Sequence, residues 1–456
     1  MTISCTVTAT ADPVRVPSQP VAASSDTSPL PPVATPPAVD RFASVDALRG
    51  VVMFTMLFVN DVAGVRGIPK WMKHAPDNAN GMTFVDWVFP AFLFIVGMSI
   101  PLAFARRLER GESIWRLLGH VLARTAGLLL LGVLMVNGEE DPIIPGWPNH
   151  LWEMLVYAFG ILAFLAPPPS RTRNARMINL ILRGIGFAGL AILALVFRDH
   201  DGKGLRPHWW GILGLIGWAY LVASILYLLL RNHRDWMVAF VAILTAMFVA
   251  DRNGLFDHVW LNNYVGFGDV LGSQAAITLA GVVLGSVLHR GMGASPMQIA
   301  APAAELKSGS SRERMGEAPM PREYLIRYAL GFGSILSIAA LLMHPKYGIN
   351  KNAATPSWCL ICSALTCWLW AALSIPIDRL RIVRPFDFFI RGGQNVLLAY
   401  LIMPLFLHFI WMTNLEFYGK LGAISPLAGI TRSLLAAAIV LWLAAFMKDR
   451  GGRLRL

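Results

Sequence analysis

The stretch that decides the fold is residues 42–104, FASVDALRGVVMFTMLFVNDVAGVRGIPKWMKHAPDNANGMTFVDWVFPAFLFIVGMSIPLAF. Two apolar runs flank a polar loop, and that loop carries a single histidine, His74. Polar groups collect at the ends of the runs: Asp46 and Arg49 near the start of the first, Asn60 and Asp61 at its end, Asp86 opening the second. In hydrocarbon such groups are costly unless paired or wetted, so they mark this hairpin as the place to look for function.

Working outward, apolar stretches of helix length recur through the chain. They fall at 45–63, 84–104, 117–136, 151–166, 178–197, 210–230, 236–250, 270–289, 325–343, 357–377, 393–412 and 428–447. About 20 apolar residues are needed to cross a bilayer. Two of these stretches are weak, 151–166 because it contains Glu153 and 236–250 because it is short. The 456 residues are 55% hydrophobic and 14% charged, where soluble domains carry roughly 25% charge. The sequence therefore predicts an all-α polytopic membrane bundle of about 12 (10–12) transmembrane helices. The tail 1–40 holds eight prolines and no aromatic residue; it reads as a disordered cytoplasmic tail without the pattern of a secretory signal. One membrane domain is expected over 41–450, interrupted by a flexible cytoplasmic loop at 291–323.

The net charge of +12 is no nucleic-acid signature, because the basic residues sit mostly in short loops. With the N-terminus inside and twelve crossings, Lys and Arg are more than twice as frequent in the inside segments as outside. RRLERGESIWR (106–116) against NGEEDPIIPGWPNH (137–150), which has no basic residue, is the sharpest contrast. Both termini are thus expected in the cytoplasm, with the His74 loop on the exterior or periplasmic side.

Cys359, Cys362 and Cys367 lie in an apolar run, SWCLICSALTCW, where thiols act as small hydrophobes; the fourth cysteine is Cys5. The exterior loops PHWWG (207–211), HVWLNNYVGFGD (258–269) and HPKYGINKN (344–352) place aromatics beside amides. That suits stacking on a sugar, with Trp209, Trp210, Asn350 and Asn352 as acceptor-binding candidates, and it equally suits an interfacial aromatic belt. No HExxH, clustered Cys/His, P-loop or GxSxG pattern occurs, so no metal site, ATPase or α/β-hydrolase chemistry is expected. His74 carries the side chain that titrates nearest neutrality, a natural general base or nucleophile. Asp86 either orients that imidazole or serves as a helix-N-terminal carboxylate. Asp46 and Arg49, at i and i+3, can pair on one helical face as a structural ion pair or as a cofactor contact.

SVDALRG (44–50), FVN (58–60) and KHAPDNANGMTFVDWVFPAFLFIVGMSI (73–100) together resemble the heparan-α-glucosaminide N-acetyltransferase family and its bacterial relatives of the DUF5009 and NagX type. DVLGSQAAITLAGVVLG (269–285), INKN (349–352), TPSW (355–358) and GGQNVLLAY (392–400) continue the resemblance in order. The middle departs from it: HLWEMLVYAFGILAF stands where glucosaminide-acting members carry a GVLQR-like motif, and that puts the acceptor in doubt. The resemblance implies a transmembrane acyltransferase that takes acetyl from cytoplasmic acetyl-CoA and delivers it to an amino sugar across a bacterial inner membrane, with no metal and with a homodimer allowed. It makes His74 and Asn60 the catalytic pair, with Asp86 and Asp61 supporting. His74 would accept the amine proton or carry the acetyl itself, and Asn60 would donate to the thioester oxygen. At the cytoplasmic ends Asp46, Arg49 and Asn395 would face coenzyme A. The competing reading is an inner-membrane transporter for N-acetylglucosamine or a related sugar, with no chemistry.

Overall fold

A computed structural model describes residues 42–140, 142, 144, 146–166, 172–291 and 320–454. The expected tail 1–40 and nearly all of the expected loop 291–323 lie outside these residues. What is described is helical: α1 Ala43–Val62, α2 Phe84–Glu109, α3 Ile114–Gly138, α4 Leu151–Ala163, α5 Arg173–Val196, α6 Ile212–Leu230 and α7 Arg234–Arg252 form the first half. Then follow α8 Ala275–Gly291, α9 Arg322–Tyr347, α10 Pro356–Ser374, α11 Asp387–Gly392, α12 Val396–Met412, α13 Phe417–Ile424 and α14 Pro426–Asp449. The sole β pairing among the described residues is an isolated bridge between Leu165 and Leu454.

Nine of the described helical segments are long and apolar enough to cross a membrane, and the segment ending in α11 passes the same criterion only together with α12, from which it is bent by 73°, as in a broken span or a re-entrant loop. The apolar stretch read from sequence at 393–412 is filled by α12, and the break from α11 falls at its edge, at Gly393–Asn395. The two stretches that read as weak are the remaining ones. Helix α4 has only 13 residues, about 20 Å at 1.5 Å per residue, too short to span unaided. Helix α7 carries Arg234, Asp235, Asp251 and Arg252 at its ends, leaving a short apolar middle.

Local chemistry sets the boundaries that matter for the site. Thr83 and Asp86 form a reciprocal capping box that starts α2. Ser425 caps α14 through Ala428 N at 3.1 Å, with Pro426 in the first turn. Pro90 and Pro101 lie inside α2, as is tolerated in membrane helices whose neighbours satisfy the freed carbonyls. Helix α2 packs most extensively against α8, which is buried almost throughout. Their approach depends on small residues: a Cβ on Gly97 would lie 1.8 Å from Thr278 O, and one on Gly281 would lie 1.9 Å from Phe94 O. By contrast α5 and α9 expose Leu180, Leu195, Ile335 and Leu342, the apolar surface a bilayer would cover.

The three described cysteines are buried in α10 and unbridged, as the apolar setting of that run predicts.

Candidate active site at the His74 loop

The loop between α1 and α2 is pinned at both ends and from outside. Thr83 Oγ1 donates to Lys73 O at 2.7 Å, tying the histidine segment to the start of α2. The loop between α9 and α10 grips the other side. Ile349 N donates to Asn80 Oδ1 at 2.9 Å, Gly81 N to Ile349 O at 2.8 Å, and Asn350 Nδ2 to Asp77 O at 2.6 Å and Ala79 O at 3.1 Å. Asn352 Nδ2 adds a bond to Asp77 Oδ1 at 2.5 Å. Asn350 and Asn352, read from sequence as acceptor-binding candidates, thus have their amides engaged in holding the histidine loop.

This clamp presents His74 over Asp86. His74 Nδ1 lies 2.6 Å from Asp86 Oδ1, the imidazole half-exposed (49%) and the carboxylate buried (1%). Asp86 Oδ2 meanwhile accepts from Ala75 N at 3.1 Å, Thr83 N at 2.9 Å and Thr83 Oγ1 at 3.2 Å. The two sequence readings of Asp86, helix cap and imidazole partner, are therefore both realised, one by each oxygen. A carboxylate only accepts, so Nδ1 carries the hydrogen, and in the neutral ring the lone pair is then on Nε2.

A residue that sequence reasoning overlooked completes the group. Lys351 Nζ stands 3.1 Å from His74 Nδ1, 3.5 Å from Nε2 and 3.9 Å from Asp86 Oδ1. An ammonium cannot donate to a nitrogen that is itself donating to Asp86, so its contact with the ring is that of a neighbouring positive charge. Burial holds the Lys351 ammonium below the usual lysine range, and Asp86 and Asp77 pull it back up. The only sequence hint was the INKN motif, 277 residues from His74.

The other candidates separate. Asn60, in the last turn of α1, is exposed, and its amide makes no hydrogen bond among the described residues. Asp61 is buried and directed to α14 instead of the histidine loop, accepting from Arg432 Nη2 at 3.1 Å and Ser433 Oγ at 2.5 Å. Trp209 packs edge-on against Trp218, and Trp210 lies against His208; neither bonds to or stacks on the His74 group.

At the opposite end of α1, Arg49 Nη1 pairs with Asp46 Oδ1 at 3.0 Å, as the i, i+3 spacing predicts, and Nη2 reaches Ser99 Oγ at 2.5 Å. Gln394 Nε2 donates to Asp46 Oδ2 at 3.2 Å and its Oε1 accepts from Lys448 Nζ. Asn395, next in the chain, is spent on the C-terminal segment: its Nδ2 donates to Ala444 O at 3.1 Å and Gly452 O at 3.0 Å. Of the residues expected from sequence to face coenzyme A, Asp46 and Arg49 come together and Asn395 braces the neighbouring C-terminal segment.

Residues 41–265 match the family described as a domain of unknown function, DUF5009, and residues 216–315 match the GntP permease family. The human heparan-alpha-glucosaminide N-acetyltransferase is 40% identical over 146 residues, 30% of this chain and 21% of the human protein. The mouse heparan-alpha-glucosaminide N-acetyltransferase is 38% identical over 100 residues, 22% of this chain and 14% of its own length. Each match thus spans about a fifth or less of these curated relatives. Residues 41–265 are thus similar to the DUF5009 family, and shorter stretches of the chain are similar to the heparan-alpha-glucosaminide N-acetyltransferases.

Proposed function

We propose that the chain is a transmembrane acetyltransferase of a bacterial inner membrane, carrying acetyl from cytoplasmic acetyl-CoA to the amine of an amino sugar on the periplasmic side. The observation that carries this reading is the His74–Asp86 pair at 2.6 Å, half-open to solvent on one side and buried on the other. A transporter that does not couple to protons has no need of such a pair. Asp86 fixes the ring with its hydrogen on Nδ1, and Nε2 then faces the acceptor as the base.

In the step proposed, the sugar amine attacks the thioester carbonyl. The N–C bond forms and the C–S bond breaks; the amine proton passes to His74 Nε2 and from there to the leaving sulfur, so coenzyme A departs as the thiol and the imidazole returns to its neutral form. The Asn60 amide is the donor for the oxygen on which charge develops. Lys351 places a positive charge beside the ring, 3.1 Å from Nδ1 and 3.5 Å from Nε2, where it can attract the developing oxyanion. Arg49, paired to Asp46 at the other end of α1, is the cation for the phosphates of coenzyme A.

The second reading, a sugar permease, draws on the match of residues 216–315 to the GntP permeases. Purified protein given labelled acetyl-CoA and glucosamine distinguishes the two. Acetyl transfer lost by at least 100-fold in folded His74→Ala supports the enzyme, since a general base contributes roughly 10²–10⁴-fold. Sugar uptake into vesicles that needs no acetyl donor and survives the same substitution supports the permease.

A further inference from the structure

The first turn of α4 and the C-terminal part of α12 bring three metal-binding side chains to one point. His150 caps α4 with a left-handed backbone, φ 65°. Glu153 follows one turn later on the same face, its Oε1 3.7 Å from His150 Nδ1. His408 arrives from α12, which packs against α4. One donor atom from each of the three lies within 4.8 Å of the others. Distances of about 2.0–2.2 Å from a central ion to imidazole nitrogen and carboxylate oxygen require these atoms to close in by about an ångström, within the reach of side-chain rotation.

Three further features favour a cation here. Glu153 is buried (5%) in the first turn of an apolar helix, with a carboxylate oxygen close to both imidazoles. His150 Nδ1, also buried, has no hydrogen-bond partner among the described residues. The rings are held in place by aromatic neighbours: Tyr157 stacks on His408 with centroids 5.6 Å apart, and Trp411 lies 5.4 Å from His150 and 5.1 Å from His408. Locked orientation of this kind suits a ligand set more than a solvated surface histidine.

The place has an open side. His150 and Trp411 line a cleft of about 1030 Å³ that also contains Asp61, Arg432, Tyr418 and the Gly64–Gly67 backbone. Two histidines and one carboxylate, with a cleft beside them, are the donor set of a divalent ion that keeps one position for water or another oxygen ligand. We propose that His150, Glu153 and His408 bind one zinc-like divalent transition-metal ion, facing this cleft. The site is separate from the His74 group, and the proposal does not depend on the acetyltransferase reading. Sequence spacing alone hid it, because His150 and His408 are 258 positions apart and only the His150-x-x-Glu153 pair is local.

The test uses full-length protein in detergent, stripped with chelator and dialysed, then titrated with Zn²⁺ and, separately, Co²⁺. One equivalent of tightly held Zn²⁺ is expected, together with the visible absorption of a four- or five-coordinate Co²⁺ complex carrying nitrogen ligands. Both should be lost in Glu153→Gln and in His408→Asn, with melting temperatures recorded to show that the variants are folded. Wild-type protein that retains no Zn²⁺ and gives only the pale octahedral Co²⁺ spectrum overturns the proposal, whatever the variants do. So does one equivalent that persists unchanged in both folded variants.

Discussion

Replacing Asp86 by asparagine separates orientation of His74 from support of the fold. Asp86 Oδ2 accepts three bonds, from Ala75 N, Thr83 N and Thr83 Oγ1, and Oδ1 accepts one, from His74 Nδ1 at 2.6 Å. An asparagine must keep its carbonyl oxygen where the three donors converge, or it loses the start of α2. Its NH₂ then faces His74, and two donors cannot share that contact. The ring responds by accepting at Nδ1 and moving its hydrogen to Nε2, the atom required as base. The variant therefore keeps the helix start and loses the reactive tautomer. Each hydrogen bond to Asp86 loses its charge assistance, a stability cost of about 1 kcal/mol apiece. The rate should fall by about 10²–10⁴-fold, the range in which a correctly protonated base contributes. Acetyl transfer from labelled acetyl-CoA to glucosamine, measured beside the melting temperature in detergent, gives both numbers. Folded Asp86→Asn protein with a rate within threefold of wild type would refute the assignment of Nε2 as base and Asp86 as its positioning residue.

Other expectations follow from the same geometry and from the helix packing. The depressed Lys351 ammonium gives up its proton at a lower pH than an exposed lysine, near 10.5. Competitive acetic anhydride labelling read by mass spectrometry should therefore show Lys351 becoming reactive at lower pH than Lys70 or Lys420. In Asp86→Asn its midpoint should drop further, because the countercharge that raises it has gone; an upward move would contradict that sign. Gly281→Ala sets a methyl 1.9 Å from Phe94 O, a collision with backbone that no rotamer relieves. It should cost about 3 kcal/mol or more in stability, whereas Gly119→Ala, with open space around it, should cost nothing measurable by thermal unfolding.

The parts of this chain that could be read in advance are those written in local patterns. The α1–α2 hairpin, the Asp46–Arg49 pair and the inert cysteines of α10 all follow from residues within one or two turns of each other. Contacts between distant segments left no such trace. Lys351 approaches His74 only because α9 and α10 return their loop to the hairpin, and Asn350 and Asn352 are consumed in making that approach. Asn395 reads from sequence as an amide facing coenzyme A, but it is taken up by the carbonyls of Ala444 and Gly452. The bend between α11 and α12 was likewise invisible to an apolar-length criterion, since hydropathy gives the length of a run and not the direction of its backbone. Glu153 weakened a predicted span because a charged side chain is costly in an apolar run, and α4, at 13 residues, is too short to span unaided.

The central claim is that acetyl enters at the Arg49 end of α1 and leaves at the His74 end. Sealed vesicles of known protein orientation, with labelled acetyl-CoA confined to the Arg49 side and glucosamine to the His74 side, test it directly. N-acetylated sugar should accumulate on the His74 side, with none formed when the two substrates are exchanged across the membrane. Equal product in both arrangements, or unmodified sugar crossing without acetyl-CoA, would contradict the account.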